Sequence, residues 1–89
     1  MVKRTRIDII CDMLTSIQEK GGEIKPTHLM YKSNLAHGQM GSYLEELVDK
    51  DLVKKIKRDS YDYIIITDKG SRFIEKVREM REFEEAFGL

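Results

Sequence analysis

Two glycines, Gly38 and Gly41, lie three residues apart in residues 36–44 (AHGQMGSYL), directly before a strongly helical run. Closely spaced glycines occur in loops that bind phosphate groups. A nucleotide-binding P-loop also needs a lysine followed by serine or threonine, and here Ser42 follows Gly41 without a lysine. A KH-type Gly-x-x-Gly loop is excluded as well, because its order of strands and helices is absent. The stretch is therefore interpreted as the beginning of a helix.

Residues that bind metals or perform catalysis are few and scattered. His28 and His37 are the only histidines, and the only cysteine, Cys11, lies far from His37 in sequence. This is not the spacing of a metal site. No nucleophile, base and orienting acid come together either, so we expect no metal, no cofactor and no enzymatic activity. Cys11 lies on an apolar helical stripe and is predicted to be a packed core thiol.

The 89 residues suffice for one modest hydrophobic core. Sixteen basic and sixteen acidic residues give a net charge of zero, which gives no support to strong non-specific binding of polyanions. The charges are nevertheless clustered: residues 3–6 and 54–58 are basic, and residues 75–85 are rich in glutamate. Any nucleic acid would respond to these local patches.

The chain carries no sign of membrane insertion or export. No apolar run approaches the roughly 18 residues that span a bilayer. The basic start is followed by a stretch that Asp8 and Asp12 interrupt, which is not a signal peptide. With a single cysteine, these features predict a cytoplasmic protein.

Three helices are predicted in the first part of the chain. Residues 5–20 carry an amphipathic stripe that ends at Gly21 and Gly22. Pro26 begins a short second helix, and the polar turn after it has Leu35 as its apolar plug. The third helix covers residues 37–50, with its apolar positions in helical register. The apolar positions of the three helices are Ile7, Ile10, Cys11, Leu14, Ile17, Leu29, Met30, Tyr31, Met40, Leu44, Leu47 and Val48.

A β-hairpin and a long helix follow. Residues 52–58 and 61–67 are predicted strands, and the weak turn pair Asp59-Ser60 favours a loop longer than two residues. Thr67 is a suitable N-cap for a final helix of about 20 residues. We predict an α+β, mostly α fold: a winged helix-turn-helix of three helices and a hairpin wing (residues 1–67), with a C-terminal dimerisation helix (residues 68–89).

Three segments then point to a known family. They are the turn Met30-Tyr31-Lys32-Ser33-Asn34-Leu35, Tyr43-Leu44 followed by Leu47, and Thr67-Asp68-Lys69-Gly70 after the second strand. With them, residues 6–80 resemble a small archaeal winged helix-turn-helix family of predicted transcriptional regulators and Sulfolobus 10a-type DNA-binding proteins. The resemblance implies a homodimer on double-stranded DNA, with the C-terminal helices paired as an antiparallel coiled coil.

The chain departs from the family pattern at two places. Gly38 and Gly41 replace the charged or long polar residues common at the start of the third helix, and Asp51 replaces the glycine that usually ends it. The glycines can permit close approach of a sugar-phosphate backbone, loosen the first turn, or pack tightly against the second helix. Glu45 and Glu46 would repel phosphates, so contact is expected in the first two turns only.

DNA contacts are expected from the start of the third helix, the turn before it and the wing. Glutamine can hydrogen-bond adenine edges, and serine and histidine can reach bases or phosphates. The wing lysines are expected to bind phosphates, although lysines on an edge strand also prevent aggregation. Lys25 and residues 3–6 can extend the surface. The predicted contacts are Lys32, Ser33, Asn34, His37, Gln39, Ser42, Tyr43 (also expected to be partly buried), Lys55, Lys57 and Arg58.

The final helix carries a row of apolar residues that predicts a partner. Phe73 and Val77 can fold back on the domain, whereas Met80, Phe83 and Phe87 lie beyond its reach, and an exposed apolar row of this kind marks an interface. A second copy is the economical partner. The alternative is a helix that caps its own core with a frayed end.

The sequence leaves two functions open. The first is a dimeric DNA-binding regulator. The second is a winged-helix module that binds other proteins and does not bind DNA, which the zero net charge, the glycines and Glu45-Glu46 favour.

Overall fold

The computed structural model describes residues 4–89 and confirms the predicted order of helices and hairpin. Its elements are α1 (Arg6–Glu19), β1 (Glu23–Ile24), α2 (Pro26–Lys32), α3 (His37–Asp49), β2 (Val53–Arg58), β3 (Tyr61–Ile66) and α4 (Asp68–Ala86). The strands form one antiparallel sheet in the order β1-β3-β2, with the helices packed on one of its faces. The α+β, mostly helical winged helix-turn-helix is confirmed.

The core lies between α1, α2, α3 and the sheet. Met13, Leu14, Ile17, Leu29 and Leu47 are fully excluded from solvent. The predicted stripe of α3 is buried at Met40, Leu44 and Leu47 and half-buried at Val48. The apolar plug at residue 35 is buried, and the cysteine of α1 is a buried free thiol as expected. The apolar periodicity of these helices therefore predicted the core, because burying apolar surface is what stabilises them.

Two residues assigned to apolar stripes are exposed. Ile7 lies in the first turn of α1, beyond the packed part of the helix, and its side chain is exposed. Tyr31, near the end of α2, also faces solvent. Both predictions were wrong, because helical spacing alone does not show how far a neighbouring element extends.

The start of α1 is fixed by a reciprocal capping box. The Asp8 backbone N–H donates to the Thr5 hydroxyl (3.1 Å), and the Thr5 N–H donates to the Asp8 carboxylate (2.9 Å). Arg81 of α4 donates to the same carboxylate at 2.7 Å. The backbone N–H and then the hydroxyl of Thr5, followed by the charge of Arg81, hold the pKa of Asp8 below its ordinary value. Asp8 therefore caps α1 and attaches α4 to it.

The wing turn has only two residues. Arg58 pairs directly with Tyr61, and both Asp59 (φ 51°) and Ser60 (φ 69°) adopt left-handed backbone conformations. This is the conformation of a type I′ turn, whose twist matches that of the flanking strands. The expectation of a longer loop was wrong, because aspartate tolerates the left-handed region better than most residues.

Strand β1 is a third strand, in addition to the two strands of the predicted hairpin. It pairs with β3 through Glu23 opposite Ile65 and Ile24 opposite Ile64. The hairpin thus becomes a three-stranded sheet, and Ile24 joins the core. Residue 23 is thereby placed on the same sheet as the wing.

The Thr-x-Lys-Gly segment joins α4 to the end of α3. The Thr67 hydroxyl accepts the N–H of Gly70 (3.0 Å) and donates to the Asp51 carbonyl (2.6 Å). The Lys69 amine donates to the Lys50 carbonyl at 2.8 Å. Asp51, with φ 59°, occupies the left-handed position that ends α3. The segment therefore has a structural role, and Thr67 is the predicted N-cap.

The buried residues of α4 lie in its first half, and Arg81 in its second half still pairs with Asp8 of α1. Val77 is buried and Phe73 is half-buried against the core. Beyond them, Met80 (51% exposed), Phe83 (58%) and Phe87 (68%) face solvent. No helix in the described part of the chain is long and apolar enough to cross a membrane.

Candidate nucleic-acid interface

Helix α3 separates its buried face from an exposed polar face at its first turns. Its apolar face is anchored in the core by Met40 and Leu44. His37, Gln39 and Ser42, which were predicted to contact DNA, are all exposed. The N-terminal half of α3 therefore presents short polar side chains to solvent.

Gly38 and Gly41 lie on this exposed part of α3. A β-carbon built at either position would meet nothing within 4 Å apart from its chain neighbours and the backbone of its own helix. The interpretation that the glycines allow tight packing against the second helix was therefore wrong. A glycine inside a helix costs about 1 kcal/mol relative to alanine. Nothing that the structure describes around Gly38 or Gly41 requires this cost, which leaves contact with an outside molecule or a loosened first turn as explanations.

The side chain of Gln39 is already engaged in the helix start. Its Oε1 accepts the backbone N–H of Ala36 at 3.1 Å, which satisfies one of the free donors at the N-terminus of α3. Contact with a base edge through both amide atoms would require this bond to break. The side-chain amide nitrogen can donate to an acceptor while the bond remains.

Three further α3 residues, Tyr43, Glu45 and Glu46, differ in how far their side chains are exposed. Tyr43 is half-buried and packs against the core, as expected. Glu46 is also largely covered and forms an ion pair with Arg6, so its charge is compensated. Glu45 is the exposed member of the two glutamates. The expected repulsion of phosphates is therefore reduced to that of Glu45.

The turn between α2 and α3 supplies fewer contacts than predicted. Ser33 is 1% exposed and cannot contact DNA through its side chain, so its assignment is corrected. Asn34 is exposed and has φ 54°. Arg4 donates to the carbonyls of Ser33 (2.7 Å) and Asn34 (2.9 Å). Lys32 lies 3.4 Å from a carboxylate oxygen of Glu19.

Strand pairing places the wing cations on two different faces. Directly paired residues of an antiparallel ladder point to the same side of the sheet. Lys55 pairs with the buried Ile64, and Lys57 pairs with Asp62, so both lysines lie on the side that the helices cover. Arg58 is one position further and lies on the opposite face. The predicted wing contacts are thus divided.

Two adjoining clefts connect α3 with Lys55 of the wing. One, of about 220 Å³, is lined by Pro26, Thr27, Met30, His37, Met40, Gly41 and Leu44. The other, of about 320 Å³, is lined by Pro26, Leu44, Lys55, Asp62 and Ile64. Because both share Pro26 and Leu44, His37 and Lys55 border one continuous surface. We call this surface, with the exposed start of α3 and Lys57, the helix–wing face.

Arg58 is held on the outer face of the sheet. It donates two hydrogen bonds to the Glu23 carboxylate, at 2.9 and 3.2 Å, and its guanidinium lies 5.2 Å from the centre of the Tyr63 ring. The hydrogen bonds from Arg58 and then its charge lower the pKa of Glu23, and the same bonds with the charge of Glu23 raise the pKa of Arg58. This arrangement was not predicted, because Glu23 and Arg58 are 35 residues apart.

The remaining predicted basic residues also form internal contacts. Arg4 lies 3.1 Å from Asp12 in addition to its carbonyl contacts. Lys25 lies over the ring of Tyr61, with its amine 4.6 Å from the ring centre. Lys3 lies outside the described residues. Between residues 4 and 89, no three histidine, cysteine or acidic side chains are grouped so that they could hold a metal ion.

Comparison with known proteins gives a consistent result. A family model described as winged helix-turn-helix matches residues 3–85. An uncharacterized protein of Methanocaldococcus jannaschii is 32% identical over 79 residues, which are 89% of this chain and 35% of that protein. The chain thus spans about a third of this curated relative.

The solved structures that share the fold include two DNA-binding proteins. The DNA-binding protein Sso10a-2 of Sulfolobus solfataricus has a TM-score of 0.81 and 19% identity, with 94% of this chain and 85% of that chain covered. The winged-helix DNA-binding protein F93 from STIV has a TM-score of 0.75 and 17% identity, with 92% of each chain covered. At these identities the likeness establishes the architecture alone.

Proposed function

This chain belongs to the winged helix-turn-helix family, and from this premise we propose that it is a homodimeric regulator that binds double-stranded DNA. The observation that carries the proposal is the helix–wing face, where the exposed start of α3 and Lys55 of β2 border one surface and Lys57 lies on the same side of the sheet. The DNA-binding descriptions of the two structural neighbours support it. A DNA-bound regulator with a free thiol also fits the cytoplasm.

The first two turns of α3 enter the major groove in this proposal. Helix-turn-helix proteins use the N-terminal residues of this helix to contact base edges. His37, Gln39 and Ser42 are the exposed side chains that can do so. Gly38 and Gly41 add no side chain, so the helix backbone can approach the sugar-phosphate backbone closely.

The wing supplies phosphate contacts beside the groove. Lys55 lies next to α3, and it forms no ion pair with any residue from 4 to 89. Lys57 is 4.0 Å from Asp62, the outer limit of an ion pair, so its amine can move to a phosphate at little cost. These contacts position the protein without reading sequence.

Homodimerisation through α4 is the second part of the proposal. Met80, Phe83 and Phe87 are exposed on its last turns. The ring centres of Phe83 and Phe87 lie 4.8 Å apart. A two-fold axis would place this apolar patch against its own copy. Residues 1–67 then form the DNA-binding unit and residues 68–89 the dimerisation unit.

Titration of a fluorescent duplex by the protein tests DNA binding. Neutralised phosphates release counterions, so the affinity is expected to fall steeply as salt is raised from low to moderate concentration. A single strand of the same sequence serves as the control and is expected to bind more weakly. No duplex binding, or an affinity that salt leaves unchanged, would refute the proposal.

A protein-binding module remains the second candidate. The specific observation in its favour is that Arg4, Arg6 and Arg58 are already paired with carboxylates. Such pairing leaves a face of mixed charge, which suits a protein partner better than a polyanion. The same duplex titration separates the two candidates, since this one predicts no binding.

A further inference from the structure

One ion pair spans the outer face of the sheet beside the wing turn. Strand β3 lies between β1 and β2, so Arg58 of β2 must cross β3 to reach Glu23 of β1. It crosses at Tyr63, above whose ring the guanidinium lies. The two hydrogen bonds, of 2.9 and 3.2 Å, use both carboxylate oxygens.

The Glu23 carboxylate engages the two guanidinium nitrogens through which Arg58 could bind a phosphate. A guanidinium binds carboxylates and phosphates through the same two-donor geometry. Arg58 is the last residue of β2, directly before the wing turn, and among the described residues Glu23 is its only ion-pair partner. While this pair is intact, Arg58 adds no net positive charge to the wing.

The pair is accessible enough to exchange partners. The side chains of Arg58 and Glu23 are 51% and 39% exposed. Ion pairs in such positions contribute little to stability and are weakened by salt. A guanidinium that rotates about its long side chain can leave Glu23 for another acceptor without a change in the strands.

We propose that Glu23 competes with DNA phosphates for Arg58 and so limits the affinity of the wing for DNA. In the free protein Arg58 is bound to Glu23. On a duplex Arg58 is shared between Glu23 and a phosphate, so the phosphate contact is only partly formed while Glu23 is present. The inference rests on the proposed function, and it makes Glu23 a positioning residue that no DNA atom needs to touch.

The test compares two variants that remove the same charge. Glu23→Gln removes the competitor, whereas Asp59→Asn removes a charge adjacent to Arg58 in sequence that makes no ion pair with it among the described residues. Asparagine also tolerates the left-handed backbone of residue 59. Duplex affinity is measured for both by fluorescence anisotropy over a range of salt concentrations, and circular dichroism confirms that each is folded.

Glu23→Gln is expected to bind duplex DNA roughly threefold more tightly at low salt, in keeping with the strength of an exposed ion pair. The slope of log affinity against log salt is expected to steepen by up to about 0.9, the value of one added phosphate contact. Asp59→Asn is expected to give a smaller gain. Adding Arg58→Met to Glu23→Gln should abolish the gain, because no guanidinium remains to be released.

The outcomes separate this inference from the proposed function. If the unmodified protein does not bind duplex DNA, both are wrong. If it binds, but Glu23→Gln matches Asp59→Asn or keeps its gain in the Arg58→Met background, only the competition is refuted. If the ion pair only stabilises the fold, Glu23→Gln would lower the thermal stability and leave the slope of log affinity against log salt unchanged.

Discussion

The first turn of α4 lies so close to the end of α3 that a β-carbon at Gly70 would come within 2.3 Å of the Leu52 carbonyl oxygen. Both partners are fixed, because the Gly70 N–H is bonded to the Thr67 hydroxyl and the Leu52 carbonyl accepts the N–H of Thr67. Glycine is therefore required at this point of the family segment. The contact sets where α4 leaves the domain.

Gly70→Ala is accordingly expected to destabilise the fold. The neighbouring atom belongs to the backbone and cannot rotate away, and forced contacts of this kind cost roughly 1–3 kcal/mol, sometimes more. Urea unfolding measures the loss. An unchanged or raised free energy of unfolding would show that α4 can shift away from Leu52.

Gly41→Ala also replaces a helical glycine by alanine, but it is expected to stabilise the fold. Because the new methyl group meets open space, the free energy of unfolding should rise by about 1 kcal/mol through helix propensity. Duplex affinity should fall, since the methyl group obstructs close approach of DNA to α3. Stabilisation with full affinity would remove Gly41 from the interface and favour the interpretation that it only loosens the first turn.

Gln39 is expected to influence which sequences are bound. Gln39→Ala should change the sites selected from random duplexes, and it should also cost about 1 kcal/mol of stability through the lost bond to Ala36. Gln39→Glu is the matched control, because it retains the capping oxygen but lacks the amide donor. Selection of the same sites by wild type and by both variants would exclude Gln39 from base recognition.

The apolar end of α4 is expected to hold the dimer together. Light scattering at micromolar concentration should give twice the 10.4 kDa of one chain. Replacing Met80, Phe83 and Phe87 by serine should give a monomer, because the apolar patch is removed. The monomer should keep its fold, since these side chains are exposed in the single chain. Exposed Glu75 replaced by serine is the control on the same helix. A monomeric wild type would contradict the dimer.

Much of the fold could be predicted because local chemistry determines it. The apolar stripe through Met40, Leu44 and Leu47 predicted both the helix and its buried face. Thr67 predicted the start of α4, since a hydroxyl can satisfy a free N–H of the first turn. These inferences need only residues within a few positions of one another.

The candidate site was predicted less well because it depends on distant contacts. Ser33 is polar and follows a short helix, and only the assembled domain shows that it is buried. The partner of Arg58 lies on a two-residue strand that its sequence did not identify as a strand. Which wing residues face α3 depends on the register of the hairpin, and a shift of one residue would reverse the faces.

Binding of duplex DNA to the helix–wing face is best tested by the salt dependence of a Lys55→Gln, Lys57→Gln double variant. Each lost phosphate contact should reduce the slope of log affinity against log salt by about 0.9, so the double variant should lose up to about 1.8 and bind all sequences more weakly. Lys76→Gln, on the exposed surface of α4, is the control and should match wild type. A double variant with the wild-type slope and affinity would contradict the account.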